Sequence, residues 1–284
     1  MRVRCLLLCL SLSLAGGVRA LDAGVGVIVG DGGNVTVSSG ADGLLVVGAF
    51  DGVLDAGTLA ALDGALPRLI VDTDPDDAAV TATGEGSVVL RREGSVVRTS
   101  LPALLKREAR KPFKTETAEA RPIVAFAAGD SFAFNGDEVG IFRIPSGVVG
   151  GASAVLFPAS KTVHLGNLLT PGQYPAIDVD QGGSIAGLIS AIGRLVNIAG
   201  PDARFIPARG PALDRDALIA YRDLLSTIRN GVRLSMQRGE PLERILDDAP
   251  PTAAYDAEWG QGAVSGAQFL TIVHESLQNP PEDD

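Results

Sequence analysis

Four aspartates, Asp72, Asp74, Asp76 and Asp77, crowd into six residues. Alternating carboxylates of this kind supply the oxygen donors that calcium or magnesium takes. The run opens like a D-x-D-x-D calcium loop, but Asp77 stands where the turn needs glycine, and Thr83 where the closing glutamate belongs. It therefore reads first as a solvated acidic turn, with hard-cation binding as the alternative. Imidazole chemistry has few sources, because the chain holds only two histidines. His164 sits at the end of an alternating apolar run and His274 in an apolar helical stretch, so both read as structural. The nearest approach to a serine elbow is Gly182-Gly183-Ser184-Ile185-Ala186, which lacks the last glycine and is better explained as a helix cap. Gly24 and Gly26 lie inside a strand-like run with no helix after it, which argues against a dinucleotide loop. No nucleophile and base pair is visible for metal-free hydrolysis.

Charge narrows the partners further. With 24 Lys+Arg against 34 Asp+Glu the chain carries -10, which argues against nucleic acid and, for the same reason, against an anionic membrane surface. A basic run at Lys106, Arg107, Arg110, Lys111 and Lys114 reads as a solvated helix face. At 46% hydrophobic and 284 residues the chain can bury a sizeable core.

Residues 1–20 read as a secretory signal. Arg2 and Arg4 precede the apolar stretch Cys5 to Leu14, and Val18-Arg19-Ala20 supplies a small-x-small cleavage site. The apolar stretch is too short to span a bilayer, which takes about 20 residues, and the residues around Cys9 do not form a lipobox. Cleavage after Ala20 leaves 264 residues, removes both cysteines and three arginines, and brings the charge to -13. The mature chain then has no disulfide and no cysteine-ligated zinc. The localisation this implies is periplasmic or secreted. Residues 21–284 read as one domain, since no linker or repeat interrupts them.

The elements that would position these residues are legible in the spacing. VGVIVG, NVTVSSG and GLLVVGAF predict a strand meander over 24–50. Thr58 to Leu66 predicts a short helix, and Arg68 to Val71 a buried strand feeding the acidic stretch. SVVL and SVVRT suggest strands, or a strand and a turn, and Leu101 to Arg110 a basic helix. IVAFA, SFAF, EVGIFRI, SAVLF and KTVHLG each end in a turn residue and predict five more strands. The second half turns helical: Ser184 caps a helix with Ile185, Leu188, Ile189, Ile192 and Leu195 at helical spacing. After the strand ARFIP, Leu218, Tyr221, Leu225, Ile228 and Val232 step by three and four along a long amphipathic helix, and a last helix covers Ala267 to Leu277.

Several phrases, in this order, resemble the metallo-β-lactamase-fold hydrolases, in particular their secreted bacterial members. GNVTVSSGADGLLVVGAF is similar to the opening strands, and LIVDTDPDDAAV occupies the place of the H-x-H-x-D-H loop. FRIPSGVVGGASAVLFP is similar to the segment holding the next histidine. TVHLGNLL, GQYPAIDVDQGGS, RFIPARGP and the tail AYDAEWGQGAVSGAQFLTIVHESL follow in family order. The resemblance implies an α/β fold: an αββα four-layer sandwich of two mixed β-sheets with helices outside, and a loop-built site at one edge.

The metal ligands do not carry over. In the histidine loop the matched positions are Asp74, Asp76, Ala78 and Ala79; Val148 stands at the third site's histidine, Asn167 at the bridging aspartate, Arg209 at the last histidine, and Gly48 at the aspartate after the paired valines. Zinc catalysis needs about three protein donors and an open position. Alanine and valine donate nothing, and arginine is a cation where the family recruits one. The expectation is therefore a protein without zinc or other cofactor, a pseudoenzyme that binds a protein partner or a small molecule in the former cleft. The alternative is a metal-dependent hydrolase using a carboxylate site. The resemblance also places Asp74 and Asp76 opposite Arg209, so an arginine–carboxylate pair, partly buried, is expected to stand in for the lost metal charge; the alternative is that Arg209 points to solvent.

Overall fold

The computed structural model describes residues 18–20, 24–30, 33–48, 67–71, 73, 88–92, 123–126, 130–144, 153–180, 182–248 and 250–280. Two mixed sheets form its centre. The first contains β1 (Val18–Ala20), β2 (Val25–Gly30), β3 (Gly33–Gly40), β4 (Gly43–Val47), β5 (Leu69–Val71), β6 (Val88–Arg92) and β7 (Ile123–Phe126), in sequence order across the sheet. Strands β1 to β4 run antiparallel, as the turn-rich meander predicts, and β4 to β7 run parallel. Val18–Ala20, the small-residue segment read as the cleavage site, forms the edge strand of this sheet against β2.

The second sheet has the order β12-β11-β10-β9-β8. Its strands are β8 (Asp130–Phe134), β9 (Asp137–Arg143), β10 (Ser153–Phe157), β11 (Thr162–Gly166) and β12 (Arg204–Pro207). All neighbours are antiparallel except β11 and β12. Their parallel pairing requires a crossover, and that crossover contains α1 (Ile185–Ala199). The other helices are α2 (Arg215–Gln237), α3 (Leu242–Asp247), α4 (Asp256–Trp259) and α5 (Gly266–Gln278).

Two apolar layers hold the elements together. Leu45, Val47, Leu69 and Val71 of the first sheet meet Phe132, Ile141, Val155 and Phe157 of the second in one core. On the other face of the second sheet, Ala154, Val163, Leu165 and Phe205 pack under α1, α2 and α5 in a second core. Val46 and Ile70, which alternate with the inward residues of β4 and β5, are also fully buried. Burial on both faces explains why these strands read as continuous apolar runs. The helices expected at 58–66 and 101–110, and the strand expected at 95–99, lie outside the described residues.

Caps fix the helix starts. Ser184 accepts a hydrogen bond from the Gly187 amide at 2.9 Å and Asp214 one from Ala217 at 2.8 Å, while Ser265 and Gln268 form a reciprocal capping box on α5. The GQYPAIDVDQGGS phrase is locked to the tail: Tyr174 stacks on Phe269 with ring centroids 4.8 Å apart and donates its hydroxyl to Asp256 at 2.9 Å. Among the described residues no helix is long and apolar enough to cross a membrane.

Candidate functional site

The two sheets meet at one edge, where Gly48 after β4, Thr73 after β5 and the turns after β11 and β12 converge. Three backbone contacts build this edge. The Gly48 amide donates to Val71 O at 3.1 Å, the Ala208 amide to Gly166 O at 2.9 Å, and the Asn34 amide to Ala208 O at 2.8 Å. Asn34, on β3, also donates its side-chain amide to Pro207 O at 2.8 Å and to Gly210 O at 2.7 Å. One buried amide thus ties the first sheet to the turn that carries Arg209. Gly166 adopts φ +55°, and a Cβ there would stand 3.0 Å from both Ser153 O and Thr73 Cβ, so the start of the acidic stretch passes directly over the turn after β11.

The centre of the edge is an imidazole. His164 on β11 is fully buried, and its Nδ1 lies 2.9 Å from Thr36 Oγ1 on β3. Its Nε2 has no hydrogen-bond partner among the described residues. Burial holds the ring neutral and pushes its pKa down to about 3. Gly48, with φ +80°, presses its backbone against the ring so closely that a Cβ on Gly48 would collide with Nε2 and Cε1. A sealed, neutral imidazole cannot exchange protons with a substrate, so its role at this edge is to fill space and join the sheets.

Of the positions that the resemblance matches to metal ligands, the structure brings two together. Asn167 is half-buried in the turn after β11, and Arg209 is exposed in the neighbouring turn after β12. Exposure of Arg209 corrects the expectation of a partly buried pair: whatever this arginine meets, it meets in contact with water. Asp74, Asp76, Ala78, Ala79 and Val148 lie outside the described residues. Among the described residues no group of three or more His, Cys, Asp or Glu side chains could hold a metal ion. Sequence reading singled out Gly48 and His164 separately but missed their contact. They come from different sheets, and no short-range pattern links them.

No family model matches the sequence, and no curated protein is similar to it. Solved structures do match. A metallo-β-lactamase from Pontibacter korlensis is 19% identical, with 74% of this chain and 99% of that one covered at a TM-score of 0.51. The stereoselective inverting sec-alkylsulfatase Pisa1 from Pseudomonas sp. is 14% identical over 93% of this chain, at a TM-score of 0.66. This chain spans 50% of the length of that alkylsulfatase. The metallo-β-lactamase FIM-1 from Pseudomonas aeruginosa, solved in a mono-zinc form, is 15% identical over 75% of this chain and 96% of its own, at 0.50. At these identities the likeness is one of fold.

Proposed function

Because this chain has the metallo-β-lactamase fold, we propose that it is an exported, non-catalytic binding protein, periplasmic or secreted. Its occupant, a protein partner or a small molecule, is held at the edge formed by the turns after β5, β11 and β12. The observation that carries this reading is the fate of the two histidines. His164 is enclosed between Thr36 and Gly48, and His274 lies on α5 in the helix layer, so neither offers an imidazole to the edge.

A zinc centre does not fit the residues present. Ala78, Ala79 and Val148 have no donor atoms, Arg209 is a permanent cation, and Asn167 offers only a weak amide oxygen. Asp74 and Asp76 remain at the matched positions with Asp72 and Asp77 beside them, and a set of carboxylates without imidazole suits a hard cation rather than the zinc of a hydrolase. No catalytic step is therefore assigned to a metal.

Export is tested by N-terminal sequencing of protein recovered from the cell envelope, which should begin at Leu21; an intact Met1 would contradict it. The non-catalytic reading is tested by assaying β-lactams, generic thioesters and alkyl sulfates with added zinc, manganese, magnesium or calcium. No turnover is expected. Turnover that depended on magnesium or calcium would favour the carboxylate-loop hydrolase instead.

A further inference from the structure

The net charge hides a segregated one. Arg215, Arg222 and Arg229 are spaced by seven along α2, and Arg233 follows one turn later, so all four lie along one flank of the helix. At 1.5 Å per residue the stripe runs about 27 Å, with arginines about 10 Å apart over its first part. The flank faces α1: a Cβ on Gly193 would stand 3.9 Å from Arg222 Cδ, and Arg194 follows Gly193 on the exposed side of α1. Helix α1 has no acidic residue, and its exposed side otherwise carries Ala186, Ser190, Asn197 and Ile198; α2 carries two exposed acids, Asp216 and Asp223, against its four arginines.

In a chain with ten more acids than bases, arginines should find carboxylates easily. Arg222 does, pairing with Asp223 at 2.7 Å. Arg194, Arg215, Arg229 and Arg233 form no ion pair among the described residues; Arg229 donates only to the Asn230 amide oxygen at 3.2 Å. Among the described residues, two of the three exposed large aliphatic side chains, Ile198 (45%) and Leu234 (47%), belong to these same two helices.

We infer that the outer face of α1 and α2 docks on an anionic phospholipid surface. Guanidinium groups pair with headgroup phosphates, and isolated aliphatic side chains enter the headgroup boundary. The face is the outside of a helix layer, which suits a broad surface better than an inserted peptide. This docking acts within a Debye length, about 10 Å at 0.1 M salt, so the five arginines of α1 and α2 count for more than acids elsewhere in the chain, and on these two helices they outnumber Asp216 and Asp223. The inference is independent of whether the edge site is catalytic.

The test is sedimentation of the full chain with phosphatidylcholine vesicles and with vesicles containing about one third phosphatidylglycerol, at about 0.05 M and about 0.5 M salt. Binding is expected only to the anionic vesicles at low salt. The R229Q/R233Q variant, with an unchanged melting temperature, should bind at least about tenfold more weakly. Equal binding to both vesicle types, as the apolar residues 5–14 would produce, overturns the inference. So does binding unaffected by R229Q/R233Q, or no binding at all.

Discussion

Gly48 and His164, from different sheets, occupy what would be one side chain's space: the imidazole of His164 lies where a side chain at Gly48 would have to go. The resemblance places an aspartate at Gly48. The buried ring of His164 therefore fills the space that a side chain at this position would take.

That contact predicts the outcome of a double-mutant cycle. Gly48→Ala forces a Cβ into the ring at a backbone with φ +80°. It should cost about 2–4 kcal/mol, from overpacking and from the left-handed conformation together. His164→Ala alone opens a cavity and leaves Thr36 without its partner. The pair combined should cost at least about 1 kcal/mol less than the sum, because the second change removes the clash. Urea unfolding measures all three; strict additivity would mean that ring and backbone do not compete.

Acid should destabilise the domain through the same residue. The His164 pKa falls from 6.5 to about 3 on folding, so between those values the unfolded chain binds one more proton than the folded one. Stability is full above pH 6.5 and is lost as pH falls through that window, at up to about 1.4 kcal/mol per unit. Between pH 6.5 and 5, before most carboxylates titrate, unfolding free energies of the wild type should decline more steeply than those of His164→Phe. Parallel curves would show that the imidazole is not sealed.

Much of the framework was legible because it is local. The β2–β4 meander, the Ser184 cap and the apolar stripe of α2 follow from turn residues, a capping side chain and a 3.6-residue period. The helices Leu242–Asp247 and Asp256–Trp259 were not foreseen, since six and four residues are too few to show a period. At the site, the resemblance assigned residues to the ligand positions, but Asp74, Asp76, Ala78, Ala79 and Val148 lie outside the described residues. The contacts that shape the edge could not be read, because Asn34 meets Pro207 and Thr36 meets His164 across more than a hundred residues.

Arg209 defines a third prediction. It is exposed, so any pairing with Asp74 or Asp76 is screened by solvent, and coupling energies of about 0.2–1 kcal/mol are expected. Cycles of Arg209→Ala with Asp74→Ala and with Asp76→Ala, read by thermal or urea unfolding, measure them. Coupling near 3 kcal/mol would indicate a buried replacement for the metal charge, and exact additivity would mean no replacement at all.

The central claim is that this fold has kept its frame and lost its metal chemistry, and elemental analysis of the dialysed protein tests it most directly. With no imidazole available at the edge and alanine, valine and arginine at matched ligand positions, zinc should be well below one per chain, and a chelator should change neither stability nor hydrolysis. About one zinc per chain, with β-lactam or thioester hydrolysis abolished by a chelator, would contradict it.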